Sequence, residues 1–386
     1  MSTWTKRKLA DCVTFQTGKL NSNAAVVDGA YPFFTCSQEI YKTNTWSFDT
    51  ECVLLGGNNA SAIYPIFYFK GKFDAYQRTY VIEPKNNNHI RYFYYLLREK
   101  LEELRKQSTG ATTKFLTIKI LHNINVSIPD ASEQQAIASV LSAYDDLIEN
   151  NEKRTRILEE MAERLYHKWF VKFKFPGHES VRFVDSGTEF GEIPEGWEHR
   201  SLNDISNIVF GFNFKSKGFK ENGEGIRVVR IRDVLDGITN TFTTEEVDKK
   251  YEILPGDLLI GMDGIFHMQM WYMEKCFLNQ RVAGVRSDIP TYFLSESIKN
   301  QLYKLQKIIV GSTVGHLSNG NIKEFKIPTP LNKDLLSPFE YITKTIINIK
   351  LQNQNLSKTR DLLIPRLVTG KRELKKEYAK KNTKHA

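Results

Sequence analysis

The sequence predicts a duplicated chain of mixed α/β (α+β) class, in which two globular units stand in tandem and each is followed by one long helix. Three observations predict it. The opening residues Trp4, Arg7, Leu9, Asp11 and Gly18 of "WTKRKLADCVTFQTG" return at one constant offset as Trp197, Arg200, Leu202, Asp204 and Gly211 of "WEHRSLNDISNIVFG". After each unit an apolar stripe of 3-4 spacing begins, and the two stripes stay in register with each other. Finally, 386 residues with 41% hydrophobic and 26% charged side chains describe a folded chain long enough for two cores.

The repeat continues through each unit. "CVLLGGNNA" (52–60) and "LLIGMDG" (258–264) are short apolar runs that end on Gly-rich turns, as strands do. "AYQRTYVI" (75–82) matches "LNQRVAGV" (278–285), setting Gln77 and Arg78 against Gln280 and Arg281. "STGATTKFL" (108–116) matches "IVGSTVGHL" (309–317), with Gly110, Thr112 and Leu116 at Gly311, Thr313 and Leu317. Each unit closes on an alternating strand ended by proline, Ile124, Val126 and Pro129 in one and Phe325, Ile327 and Pro330 in the other.

The helical stripes follow. Ile137, Val140, Tyr144, Leu147, Asn151, Arg154, Leu158, Met161 and Leu165 lie on one face, with partners Phe339, Ile342, Ile346, Ile349, Asn353, Leu356, Arg360, Leu363 and Leu367. A period of 3.5 needs another helix against it, so the two are expected to pair as a coiled coil. Asn151 and Asn353 share a layer, a register-fixing device. Arg154 and Arg360 each fall where the other stripe is apolar, which favours pairing of two different helices. The first is expected over residues 132–170, about 55–60 Å long. The second is expected from Leu336 to Gly370, with Pro365 kinking its last turns. The plainer alternative is a pair of long amphipathic core helices. Expected boundaries are a first unit at 1–130, its helix at 131–174, a linker at 175–196, a second unit at 197–331, its helix at 332–371 and a basic tail at 372–386.

Much chemistry is excluded. Cys12, Cys36, Cys52 and Cys276 form no CxxC pair, and the eight histidines show no metal-ligand spacing, so neither disulfides nor zinc are expected. No apolar run reaches membrane-spanning length, no signal-type core opens the chain, and a cytoplasmic, membrane-free protein is expected. Phosphate-binding glycine loops, GxSxG and the Asn-Pro-Pro-aromatic motif of adenine methyltransferases are absent. Asp145 and Asp146 read as a solvated helix edge, not a catalytic pair. No catalytic, cofactor-binding or metal site is expected. The net charge of +9 favours nucleic acid only mildly, because the basic excess sits in the first unit and the C-terminal tail.

What the repeated units carry is hydrogen-bonding side chains on loops. Asn58, Asn59, Gln77, Arg78, Thr112, Thr113 and Lys114 form one such set, and Asp263, Asn279, Gln280, Arg281 and His316 the other. Arg pairs with guanine and Asn or Gln with adenine in the major groove, so this vocabulary suits base reading. Ordinary polar turns, or a Gln–Arg pair that holds the fold, are the alternative. Lys215, Arg227 and Arg230 are candidates for phosphate contact. A duplicated object suits double-stranded DNA, whose local symmetry offers paired sites. The competing reading is a non-catalytic adaptor whose duplicated modules bind protein or RNA.

Several segments resemble specificity subunits of type I restriction–modification systems. They are "IPDASEQQAIASVLSAYDDLIENN" (128–151), "ERLYHKWF" (163–170), the "WTKRKLAD"/"WEHRSLND" pair, "EIPEGWE" (192–198) and "LLIPRLVTGK" (362–371). The second helix departs from the pattern, since "NKDLLSPFEYI" stands where the first has Glu133 and Gln134. The resemblance implies two target-recognition domains that read a bipartite DNA sequence, on helices that pair antiparallel and set the spacing. It also implies partners: two adenine-methyltransferase subunits and an ATP-dependent restriction and translocation subunit. S-adenosylmethionine, ATP and Mg would then sit on those partners and none in this chain.

Overall fold

The long alternating runs of the first unit become strands, and their order shows how the loops are positioned. The computed structural model describes residues 4–60, 62–110, 113–188, 190–221, 223–309, 315–372 and 374. Thr112, Gly311 and Thr313 of the repeat lie outside the described residues. The chain forms two compact units, Met1–Ile148 with Asn355–Ala386 and Glu149–Gln354, so each long helix contributes to both.

In the first unit a six-stranded sheet runs in the order Val13–Thr17, Thr79–Pro84, Phe48–Gly56, Ile66–Ala75, Tyr31–Phe34, Tyr41–Thr43. Pairing is antiparallel except between Tyr31–Phe34 and Ile66–Ala75. Val53 and Leu55 of the central strand share a core with Tyr92, Phe93 and Leu96 of helix Ile90–Gln107. Cys52 and Leu54 point the other way, into Phe34, Phe67, Phe69 and Phe73, as alternation demands. Eight strands of the second unit form two four-stranded sheets. One runs Asn207–Phe210, Val282–Arg286, Leu258–Gly261, Met268–Met270, and the other Phe242–Thr243, Ile226–Val229, Cys276–Leu278, Glu252–Ile253.

The repeat holds bond by bond. Strand Thr5–Lys8 pairs with Asn125–Ile128, and Glu198–Ser201 with Lys326–Thr329. The Leu9 N–H donates to Ile124 O at 2.9 Å, and the Leu202 N–H to Phe325 O at 2.8 Å. A Cβ at Gly18 would lie 1.9 Å from Ala75 O, and one at Gly211 would lie 1.9 Å from Asn279 O, so both positions must be glycine. The repeated tryptophans seal helix ends. In the second unit Trp197 packs on Phe170 and Phe175, each at 5.1 Å between centroids, just past the first long helix. In the first unit Trp4 lies so close to Gly370, just past the second, that a Cβ there would fall 2.8 Å from its ring.

The first long helix is Ala131–Tyr166, extended by a π turn at His167–Val171. The second is Ser337–Val368, entered through a tight turn at Lys333–Leu336, and it runs on through Pro365. Within the first unit Ile137, Ala138 and Leu141 share a core with Ile364, Leu367 and Val368. Within the second, Ala162 and Tyr166 share one with Phe339, Ile342 and Ile346. Rising numbers on one helix meet falling numbers on the other, so the pairing is antiparallel. Asn151 Nδ2 donates to Asn353 Oδ1 at 2.8 Å, as the shared layer predicts.

The second stripe matches its expectation, with Phe339, Ile342, Ile346, Ile349 and Leu367 buried and Asn353, Leu356 and Leu363 half-buried. The first requires correction. Leu147 and Met161 are 45% and 52% exposed, whereas Leu141, Thr155 and Ala162 are buried. Val140, Tyr144, Leu158 and Leu165 sit half-buried at the seam's edges. The buried seam keeps the heptad spacing but runs through Leu141, Thr155 and Ala162, one residue after Val140, Arg154 and Met161. Thr155 and Ala162 are small residues that an apolar count passes over. Met161→Ala is expected to change stability by less than about 0.5 kcal/mol. Ala162→Leu, which overfills the seam, should cost about 1–3 kcal/mol in urea unfolding.

Two further expectations change. Asp145 is no solvated edge: it pairs with Arg360 and accepts from Tyr95 Oη at 2.5 Å, while Asp146 meets Arg91 at 2.5 Å. Arg360 thus sits among apolar stripe positions because a carboxylate faces it. Residues 175–196, expected as a linker, carry the hairpin Phe183–Asp185 with Glu192–Pro194 and bury Phe175. The helix starts differ as their sequences do. Gln134 Oε1 accepts from the His89 N–H at 2.9 Å, whereas in the second unit Thr343 Oγ1 accepts from the Tyr292 N–H at 3.3 Å.

Candidate nucleic-acid interface

Three loops meet at one end of the sheet in each unit, and the same backbone bonds join them. In the first unit the turn after strand Phe48–Gly56 crosses the 76–79 turn, where the Gly57 N–H donates to Arg78 O at 2.7 Å. The third loop closes over it, with the Leu116 N–H donating to Gly57 O at 2.8 Å. In the second unit the Met262 N–H donates to Arg281 O at 2.9 Å and the Leu317 N–H to Met262 O at 2.8 Å. Strand Asn58–Asn59 pairs with Lys114–Phe115, and Asp263 bridges His316 in the same sense. Glycine at 57 permits the crossing, since a Cβ would stand 2.5 Å from Arg78 O.

The side chains follow from this frame. The Gln77 and Gln280 N–H groups donate to Leu20 O and Phe212 O, each across a parallel bridge, and both side chains are exposed. Arg78 is exposed, with its guanidinium carbon 5.3 Å from the Phe115 ring centre. In the second unit Arg281 NH1 donates to His316 Nε2 at 2.7 Å. His316 Nδ1 lies 2.5 Å from Asp263 Oδ1, and Arg281 Nε lies 3.5 Å from Asp263 Oδ2. Those partners place the imidazole proton on Nδ1, leaving Nε2 to accept from the guanidinium. Tyr80 Oη donates to Leu116 O at 2.8 Å, and burial pushes its phenol pKa up, keeping it a neutral donor.

Asn58, Asn59, Gln77, Arg78, Thr113 and Lys114 thus come together in the first unit, and Asp263, Asn279, Gln280, Arg281 and His316 in the second. Thr112 lies outside the described residues. Asn59 accepts from the Ile63 N–H at 3.4 Å, and Asn58 and Asn279 each keep a buried side-chain oxygen with no partner among the described residues. The phosphate candidates separate from this edge. Arg227 is engaged by Glu274 at 3.0 Å, by Thr239 O at 2.8 Å and by the Phe242 ring. Arg230 lies over Phe219, and Lys215 is exposed beside Glu245.

Phe115 was missed in the sequence, where it reads as an apolar loop residue. Its signal was the alignment of "KFL" with "GHL", which puts it at the position of His316. Among the described residues no cluster of three or more His, Cys, Asp or Glu could hold a metal ion, and no helix is long and apolar enough to cross a membrane. Burial pushes the Cys52 thiol up to about 12 and the Cys276 thiol well above its ordinary value, as befits inert core residues.

Known proteins share this architecture. The family model described as the type I restriction modification DNA specificity domain matches residues 1–160 and again residues 194–356, following the internal repeat. The chain is 37% identical over 223 residues to the specificity subunit of the type I restriction enzyme EcoDI of Escherichia coli, across 53% of this chain and 49% of that protein. That match therefore spans about half the length of the relative. A second relative, the specificity subunit of the type I restriction enzyme MjaVIII of Methanocaldococcus jannaschii, is 27% identical, across 96% of this chain and 93% of its own length. The crystal structure of the S subunit of a type I restriction–modification system from M. genitalium superposes with a TM-score of 0.60 over 95% of this chain and 96% of that one. At 17% identity that likeness is one of fold.

Proposed function

We propose that this chain, which belongs to the type I restriction–modification DNA specificity family, reads a two-part DNA sequence and supplies address, not chemistry. The observation that carries the reading is the repeated loop edge. Both units build it from the same three backbone crossings, keep an arginine at the same place (Arg78 and Arg281) and surround it with different side chains, Asn58 and Phe115 against Asp263 and His316. One scaffold with two vocabularies is what reading two different half-sites requires.

The antiparallel helices supply the other half of the argument. The first unit is built on the start of one helix and the end of the other, and the second unit on the converse. Helices of fixed length that carry both units suit a target with a fixed, unread gap. The partners are two adenine-methylating subunits, which bring S-adenosylmethionine and turn the base out of the duplex, and an ATP- and Mg-dependent cutting and translocating subunit. Reaction chemistry belongs to them.

The test is a map of modified bases across the native genome, with and without this chain. A two-part adenine-methylated motif of fixed gap should vanish on deletion. Identical maps would leave the adaptor reading in its place.

A further inference from the structure

We propose that Arg78 and Arg281 are specificity-determining residues of the two units, each offering its guanidinium to a guanine from the equivalent turn of the repeat. The proposal rests on the reading of the chain as a DNA sequence reader and adds which side chain discriminates and which base it selects. Four observations carry it.

The two arginines occupy the same place in the repeat, and in both the backbone carbonyl is tied down by the neighbouring loop, at 2.7 Å from Gly57 N and 2.9 Å from Met262 N. Each side chain leaves a tight turn toward solvent. Each meets a ring residue delivered by the third loop: Arg78 lies over the Phe115 ring, and Arg281 donates to the Nε2 of His316. The contact changes from ring packing to a hydrogen bond between the halves while its place is kept, as expected if the third loop serves to orient the guanidinium. Lastly, Arg281 holds a left-handed φ of +70°, a strained backbone for a side chain of this size. Such strain clusters at functional sites.

The two are prepared differently. Among the described residues the Arg78 guanidinium has no hydrogen-bond or ion-pair partner, so its whole fork is available for the O6 and N7 acceptors of guanine. Arg281 is held on two sides, by His316 through NH1 and by Asp263 through Nε, yet its side chain remains 49% exposed and NH2 is open. Asp263 and His316 are then positioning residues that fix the guanidinium before DNA arrives. A lysine could supply the charge at either position but not the planar fork.

The experiment maps methylated adenines in the native host carrying the wild-type chain, R78A, R78K, R281A or R281K, with assembly of each complex checked by co-purification. Both Arg78 variants should raise methylation about tenfold at sites altered at one G·C pair of the first half-site, leaving the second unchanged. The Arg281 variants should do the reverse. Lysine variants that keep the wild-type motif would make the arginines phosphate anchors and overturn the proposal. Alanine variants that keep every position, or a wild-type half-site without a G·C pair, would overturn it as well. So would loss of all methylation from an assembled complex bearing either variant. A wild-type map without any two-part motif would instead defeat the reading of function.

Discussion

Inserting seven residues into each long helix at the level of Asn151 and Asn353 is expected to widen the gap between the half-sites by about three base pairs, with both half-site sequences kept. Seven residues add about 10 Å of helix, and base pairs stack about every 3.4 Å. Both helices must be lengthened because they run antiparallel. An insertion in one alone would slide Asn151 past Asn353 and break their 2.8 Å bond. Seven residues return the seam to nearly the same face, within about 20°. The map of modified bases reads the result directly. A motif whose gap is unchanged would mean that the helices do not set the spacing.

Replacing Phe339 by alanine is expected to remove about 3–5 kcal/mol of stability, the cost of deleting a fully buried aromatic side chain. Phe339 is 0% exposed, and its ring meets Phe293 at 5.3 Å and Phe170 at 5.8 Å, both edge-on. It joins the start of the second helix to the core of the second unit and to the end of the first helix. Leu147→Ala is the control: 45% exposed on the outer side of its helix, it should change stability by less than about 0.5 kcal/mol. Urea unfolding of the two variants measures the difference. Equal midpoints would show that the helix seam has been drawn on the wrong residues.

Repetition was the most legible property of this chain. Gly18 and Gly211 could be paired from sequence because each lies where a Cβ would strike a carbonyl, and a steric constraint of that kind leaves the same letter in both halves. The tryptophan pair and the Gln–Arg turns were visible for a like reason, since each keeps one local geometry. Asn151 and Asn353 could be placed in one layer from spacing alone, because a buried amide inside an apolar stripe needs a partner at its own level. The candidate site was legible as a vocabulary, polar side chains on loops that close each strand pair.

Other features were hidden because they depend on partners far away in the chain. Asp145 looked like surface until Arg360 and Tyr95, remote in sequence, were found against it. The buried face of the first helix runs through Leu141 and the small residues Thr155 and Ala162, one position beyond the stripe that the apolar letters Leu147 and Met161 suggest. Phe115 became part of the reading edge only once the loops had crossed. Sequence alone determined the duplication, the paired helices and the residue types at each loop, because local sterics and periodicity write those into neighbouring positions. Only tertiary structure decided which helix face is buried, which charges are neutralised and which arginine is free, because burial and pairing are properties of segments that meet across hundreds of residues.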